Sequence, residues 1–404
     1  MVAAALLIVV PLIGIFAAIA KPRLNVLGTQ RILTPHLNTH QCHPVPGLEA
    51  CEDAWVHHDS GLAYLACSSV ETRAHWSPSL ENLDAHALPS RSTDSLRLFS
   101  FSTRTHSPIS LVGLPASHPG LYLHGMDALH TPSPADPDLY TLFLVSHPPP
   151  ADRSAAPREG AASVVELFET RLGSTEARYV GTARHELVRT PNNPVATGPR
   201  SFYVSNDHRR KVHWTRKVEV AIVERSEVAH CTLLASGETE CTVAAELTYP
   251  NGLAKGPDDL LYVASTYTGE VSVYEIQHDD MSLVPVGNIW LERPIDNIHV
   301  SPKTGAIYAA TFPKFLSFSS AAPLPSSPHN PHEKRSPVEV WRIKNQTSPE
   351  ELYLGRKYVQ EVVLSDPEGE VVSAVTTAAP WRDELLLTGY FTPHAVVCKV
   401  GEAL

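Results

Sequence analysis

Positive charge is scarce in this chain: 32 Lys and Arg face 43 Asp and Glu over 404 residues, a formal net charge of −11. No cationic stripe offsets that balance, which excludes a nucleic-acid binder working by phosphate neutralisation. Familiar catalytic signatures are missing as well. There is no G-x-S-x-G elbow, no H-E-x-x-H, no Walker loop and no G-x-G-x-x-G turn, so a serine-hydrolase reading has no anchor. His185-Glu186 stands without a second His four residues on. The cysteines form no C-x-x-C pair and no zinc-type spacing with histidine. Helical periodicity is absent beyond the N-terminus. Disorder is excluded too, because 43% apolar against 19% charged residues can bury a large core.

What the chain has in excess is proline, 35 residues of 404, or about 9% where about 5% is usual. Proline is hostile to helix interiors and favours short strands and turns. Residues 1–20, MVAAALLIVVPLIGIFAAIA, carry no charge, and Lys21 follows. The basic leader of a signal peptide is lacking, but the run is long enough for a signal peptide or a signal anchor, with Ala18-Ile19-Ala20 suited to cleavage. The reading is therefore a hydrophobic N-terminal helix at 1–20, a lead-in at 21–41, and one domain from 42 to 404, secreted or membrane-anchored. Six cysteines agree with an oxidising compartment: Cys42, Cys51, Cys67, Cys231, Cys241 and Cys398. Asn345-Gln346-Thr347 is a glycosylation sequon that fits the same compartment.

At about 150 residues per domain, 404 residues suggest two or three domains. One two-part phrase argues otherwise. It reads GLAYLACSS then LRLFSF, LYTLFLVSH then SVVELFE, SFYVSNDH then VEVAIVE, LLYVAST then VSVYEI, AIYAATF then VEVWRI, and ELLLTGY then AVVCKV. The alternation is a β signature, and six such units make a six-bladed β-propeller, an all-β ring. Pro-rich stretches at 147–160 and 319–336 fall between units and read as exposed loops. Cys42 precedes the first unit and Cys398 lies in the last strand. A bridge between them would staple the ring, worth on the order of 4–5 kcal/mol by loop-closure entropy. Cys231 and Cys241 flank a hairpin, leaving Cys51 for Cys67, although six cysteines formally allow 15 pairings.

Glu52 lies 12 residues before Tyr64, and Asn192, Asn251 and Asn297 lie 11 before Tyr203, Tyr262 and Tyr308, with Asp296 adjacent to the last. In a propeller that point is the entrance to the innermost strand, where equivalent positions converge on the axis. Amide and carboxylate oxygens without cysteine suit a hard cation with many oxygen ligands, Ca²⁺ rather than Zn²⁺. Asn-Gly and Asn-Pro also start turns, but a turn role does not account for four aligned units.

The segments PNNPVATGPRSFYVSNDH, YPNGLAKGPDDLLYVAS, RPIDNIHVSPKTG and PHAVVCKV, with CEDAWVHHDSGLAYL and LYLHGMD, resemble the paraoxonase (arylesterase/lactonase) family of calcium-dependent propellers over most of residues 42–400. The resemblance implies a catalytic Ca²⁺ held by Glu52, Asn192, Asn251, Asp296 and Asn297. It implies a second, structural Ca²⁺ on Asp53, the main-chain carbonyl of Met126 and Asn193, where the family has Asp. It also implies a proton-accepting pair, His124 and His147, and places Phe312 where the family has a pocket histidine. The expected activity is hydrolysis of aryl esters or lactones, with a small-molecule partner and an N-terminal segment able to meet a membrane or lipid. The rival readings are a gluconolactonase or strictosidine-synthase-like enzyme and a non-catalytic calcium-stabilised binding propeller.

Overall fold

Short runs that alternate apolar and polar residues can bury one face or both only by pairing with other strands, and here they pair into six sheets. The computed structural model describes residues 14, 17, 18, 21–218, 224–323 and 334–401. The hydrophobic helix expected over 1–20 lies outside the described residues apart from Gly14, Ala17 and Ala18. Among the described residues no helix is long and apolar enough to cross a membrane.

The six inner strands are Cys51–His57, Leu123–His130, Pro191–Gly198, Pro250–Lys255, Ile295–Val300 and Thr377–Trp381. Each heads one sheet, numbered here as blades 1 to 6 in chain order. Each inner strand touches the next, and the sixth touches the first, which closes a six-bladed β-propeller. Blade 2 carries a fifth strand, Ser110–Val112, added parallel to its outer edge. Blade 6 is completed from the start of the chain: Cys42–Val45 pairs with Ala395–Lys399, Cys42 opposite Cys398.

Six apolar clusters fill the six gaps between neighbouring blades. Tyr64, Tyr203, Tyr262 and Tyr308, which mark the sequence repeat, each belong to the cluster facing the following blade. The repeat is thus a packing rule, a large apolar side chain from each second strand plugging the next gap, a ring in five blades and Leu386 in the sixth. All six cysteines are paired as the sequence suggested: Cys42–Cys398, Cys51–Cys67 and Cys231–Cys241. Each pair sits at directly opposed strand positions.

Two sequence readings need correction. VEVAIVE (218–224) is not the third strand of blade 3; that strand is Ser226–Leu233, and residues 219–223 of the phrase lie outside the described residues. Both segments alternate, but only the later one sets Cys231 opposite Cys241 and buries Val228 and Ala229. The Pro-rich stretch at 147–160 is not simply exposed. Its short helix Ala156–Glu159 buries Ala156 against Trp76 and Tyr122, in a cluster that also holds Ala85 and Leu88. Of the second stretch, residues 324–333 lie outside the described residues. Asn345 ends the strand Val338–Asn345 and is exposed, as a glycosylation acceptor must be.

Candidate active site

The strand pairing supplies a common frame for the six blade entrances. Trp55, Asp127, Val195, Ala254, His299 and Ala379 lie opposite Tyr64, Phe143, Tyr203, Tyr262, Tyr308 and Leu386. Three places before each lie Glu52, His124, Asn192, Asn251, Asp296 and Thr376. One place further on come Asp53, Gly125, Asn193, Gly252, Asn297 and Thr377. In blade 5 it is Asp296, not Asn297, that holds the position equivalent to Glu52 and the asparagines. In blades 1 to 5 the ladder register breaks at this entrance. Such bulges bend a strand and re-aim its side chains, a frequent device beside active sites. The two glycines permit the close approach. A Cβ on Gly125 would lie 2.1 Å from the Asn192 carbonyl oxygen, and one on Gly252 2.6 Å from Asn297 Cα.

Glu52, His124, Asn192, Asn251, Asp296 and Thr376 line one small chamber of about 70 Å³. None of Glu52, Asn192, Asn251, Asp296 and Asn297 is more than 6% exposed. The amide nitrogens are engaged around the ring. Asn251 Nδ2 donates to Thr266 Oγ1 at 3.0 Å, Asn297 Nδ2 donates to Glu52 Oε1 at 2.8 Å, and Asn192 Nδ2 lies 3.2 Å from His124 Nε2. The oxygens are not. Glu52 Oε2, Asn192 Oδ1, Asn251 Oδ1 and Asn297 Oδ1 are buried without a hydrogen-bond partner. A buried unpaired acceptor costs about 1–3 kcal/mol, so three from residues that line one chamber, with a fourth on Asn297 beside Glu52, call for a shared counter-group. Burial, then the charges of Asp53 and Asp296, holds the Glu52 carboxyl well above the usual carboxylate range. Burial raises Asp296 to about 8. A cation in the chamber would reverse both shifts and satisfy the oxygens together, so this donor set fits a hard cation.

The Asp53 neighbourhood is different. Asp53 Oδ2 accepts from Met126 N–H at 2.9 Å and Asn193 Nδ2 at 2.7 Å. Its Oδ1 accepts from Ala54 N–H at 2.8 Å and Thr377 Oγ1 at 3.1 Å. Asn193 Oδ1 in turn accepts from Leu253 N–H at 3.0 Å. Met126 offers its amide hydrogen to Asp53, and the Asn193 amide bridges Asp53 and the Leu253 N–H, so both Asp53 oxygens are already satisfied. The residues present do not fit a second ion here. A larger cavity of about 560 Å³, lined by Asp53, Asn193, His57 and His299 among others, shares no lining residue with the Glu52 chamber.

His124 and His147 meet edge to face, with ring centroids 5.0 Å apart. His124 Nδ1 and His147 Nε2 are both buried and unpartnered, and His147 Nδ1 lies 2.9 Å from Ser163 Oγ. Burial holds His124 well below the usual imidazole range, with His147 and Arg73 adding to it. Burial lowers His147 to about 3. Both rings are therefore neutral near pH 7 and each keeps a lone pair, although burial opposes its protonation.

Several neighbours escaped the sequence reading. Thr376 Oγ1 donates to the Glu52 carbonyl at 2.7 Å and completes the sixth blade entrance. Arg73, from the short helix Val70–His75, lies over the Tyr390 ring at 4.0 Å and donates to the Leu123 carbonyl at 2.7 Å. Phe312, which the resemblance places in the pocket, lines the chamber, stacked on Phe318 with centroids 3.7 Å apart; Phe318, Phe315 and Leu80, which the sequence did not suggest, extend this apolar wall.

A family model described as arylesterase matches residues 154–400, more than half of the chain. The chain belongs to the arylesterase family. The match takes in Asn192, Asn251, Asp296 and Asn297, whereas Glu52, His124 and His147 precede it. The family member is 28% identical over 253 residues to serum paraoxonase/lactonase 3 of Oryctolagus cuniculus, covering 62% of each chain. It is 27% identical over 264 residues to serum paraoxonase/arylesterase 1 of Homo sapiens, covering 64% of each. The matched stretch thus spans a little under two thirds of these relatives. Among solved structures, a gluconolactonase from Xanthomonas campestris is 12% identical with a TM-score of 0.43, covering 92% of this chain and 99% of that one, too distant to carry an argument.

Proposed function

We propose that this arylesterase-family chain hydrolyses carboxylic esters or lactones in the Glu52 chamber, with Ca²⁺ as its cofactor. The observation that carries this reading is the set of buried, unpartnered oxygens from Glu52, Asn192, Asn251 and Asn297 beside a neutral histidine pair. Glu52, Asn192, Asn251, Asp296 and Asn297 would hold the ion, two carboxylates balancing its charge. When bound, Ca²⁺ supplies Lewis-acid polarisation of a carbonyl and stabilisation of the developing oxyanion, worth several kcal/mol.

The chain's own groups do the rest. With Asn192 Nδ2 donating to His124 Nε2, that nitrogen carries the ring's lone pair and Nδ1 carries the hydrogen. A water in the chamber would give its proton to Nε2 once Asn192 Nδ2 releases that lone pair, as it would on turning Oδ1 to the ion. His147, edge to face with His124 and steadied at Nδ1 by Ser163 Oγ, would take the Nδ1 hydrogen once the rings turn into hydrogen-bond reach, since neither facing nitrogen has a partner here. Phe312, Phe315, Phe318 and Leu80 favour an apolar acyl or aryl group against that wall and exclude bulk water from it. With Phe312 replacing an imidazole, organophosphate hydrolysis is not part of the proposal.

The test is turnover of phenyl acetate and of lactones of graded chain length, with Ca²⁺ and after chelation. The expected result is activity that disappears on chelation and returns with Ca²⁺. Activity indifferent to chelation overturns the mechanism, and bound Ca²⁺ without turnover on the whole panel points to a binding propeller instead. Three disulfides fit the oxidising compartment of a secretory protein.

A further inference from the structure

Outside the central chamber, the outer edge of blade 5 brings together an imidazole and two carboxylates. The lead-in crosses the outermost strand of that blade, Tyr358–Asp366, and pairs with it at one point, where Leu37 and Ser365 exchange both backbone hydrogen bonds at 3.0 and 3.1 Å. Ser365 Oγ donates to the Thr34 carbonyl at 2.7 Å, and Asn38 Nδ2 donates to the Val363 carbonyl at 2.9 Å. This crossing carries His36 to Asp366 and Glu368. One ligand atom from each of the three residues lies within 4.8 Å of the others.

Asp366 is the unusual member. Its side chain is fully buried, and Oδ2 is satisfied by the Val371 and Val372 amides at 2.7 and 3.0 Å. Oδ1 has no hydrogen-bond partner. The facing His36 Nδ1 is 3.9 Å away, too far for a hydrogen bond. Two atoms bound to one ion, however, are separated by at most twice the metal–ligand distance, about 4 Å for Zn²⁺. Glu368 Oε2 lies 2.8 Å from the other ring nitrogen, Nε2, and both these side chains reach solvent, so the Glu368 carboxylate must swing to share an ion held by Nδ1 and Asp366 Oδ1.

We propose that His36, Asp366 and Glu368 form a binding site for a borderline divalent cation of the Zn²⁺ type. The site clamps the lead-in to the rim of the propeller. One imidazole with two carboxylates suits Zn²⁺, whereas Ca²⁺ prefers an all-oxygen shell of six or more ligands. Water from the exposed side completes the coordination. The clamp reaches further than its ligands, because the same lead-in supports the aromatic wall: Phe315 N–H donates to the Leu27 carbonyl at 3.0 Å and Arg31 Nη1 donates to the Pro313 carbonyl at 2.9 Å.

The test is calorimetric titration of Zn²⁺ into the full chain kept in excess Ca²⁺, with wild type, His36→Ala and Glu368→Gln compared. Both substituted side chains are partly exposed, and circular dichroism verifies that each variant is folded. The expected result is one Zn²⁺ equivalent fewer in His36→Ala, about tenfold or more weaker binding of that equivalent in Glu368→Gln, and Zn²⁺-dependent protection of the lead-in from trypsin in wild type alone. Equal stoichiometry and affinity in wild type and His36→Ala overturns the proposal, as does loss of the site on raising Ca²⁺. The readout is binding, so it stands or falls independently of ester turnover.

Discussion

Two neighbouring carboxylates on one strand, Glu52 and Asp53, are both buried beside the propeller axis, yet the chain treats them in opposite ways. Around Glu52 only Oε1 is met, by Asn297 Nδ2; its Oε2 and the oxygens of three asparagines are left unpaired. Around Asp53 four donors converge, and both of its oxygens are satisfied. A buried charge costs free energy unless something compensates it. A single step along the strand thus separates a cage that wants a cation from a carboxylate held by the protein's own hydrogen bonds. Asn193 makes the difference. Its amide can donate to Asp53 and accept from Leu253 N–H at once, which an ionised aspartate could not do.

The sharpest way to break this contrast is at Glu52. Glu52→Gln removes one of two carboxylates from the cage while keeping its shape. It is expected to abolish Ca²⁺ binding by calorimetry and to cut ester turnover by about 10³-fold or more, the equivalent of losing several kcal/mol of carbonyl polarisation. Unchanged binding would mean that the asparagines and Asp296 suffice. Next comes His124→Gln, expected to cost about 10²–10³-fold in kcat with Ca²⁺ affinity retained. A near-normal rate would move the proton acceptor to another group.

How much of this was legible beforehand depended on which regularity each residue belonged to. The ring, its closure through Cys42 and Cys398, and the oxygens of blades 1, 3, 4 and 5 could be read because a tyrosine 11 or 12 residues on, in the adjacent strand, marks each copy. Blades 2 and 6 carry Phe143 and Leu386 at that mark, and blade 2 places it 19 residues after His124 because its first hairpin is longer. His124 could therefore be reached only through the family resemblance, although it occupies the same structural position as Asn192. The register breaks that aim these side chains leave no trace in composition or alternation. Nor could VEVAIVE be told from the true strand at Ser226–Leu233, since both alternate and only the disulfide register and the packing separate them. Asn193 in place of the family's Asp reads in the sequence as one charge fewer; that its amide bridges two strands depends on the fold.

Asn193→Asp tests the other half of the comparison. Without Ca²⁺ it sets a second carboxylate within 2.7 Å of Asp53 Oδ2 and withdraws the donor there. The expected cost is about 3 kcal/mol of unfolding free energy by denaturant titration in chelator, recovered when Ca²⁺ is added, with one more Ca²⁺ equivalent bound than in wild type. A variant whose gain in stability on adding Ca²⁺ equals that of wild type would show that the site can hold two carboxylates by sharing a proton instead.

The smallest effect expected is at Thr377, the residue that touches both layers. Its Oγ1 lies 3.0 Å from the Glu52 carbonyl and 3.1 Å from Asp53 Oδ1, and it accepts from Asn297 Nδ2 at 3.0 Å. The hydroxyl has one hydrogen to donate, so it can serve one layer fully at a time. Thr377→Val keeps the shape and deletes all three interactions. Asp53 retains its three other donors and the Glu52 carbonyl retains Thr376, so neither acceptor is stranded. Loss of about 1 kcal/mol of stability follows from one net hydrogen bond, with Ca²⁺ affinity and turnover near wild type. If Ca²⁺ affinity instead falls in step with stability, Asn297 is oriented through Thr377, and the hydrogen-bonded layer holds the cage in place rather than merely lying beneath it.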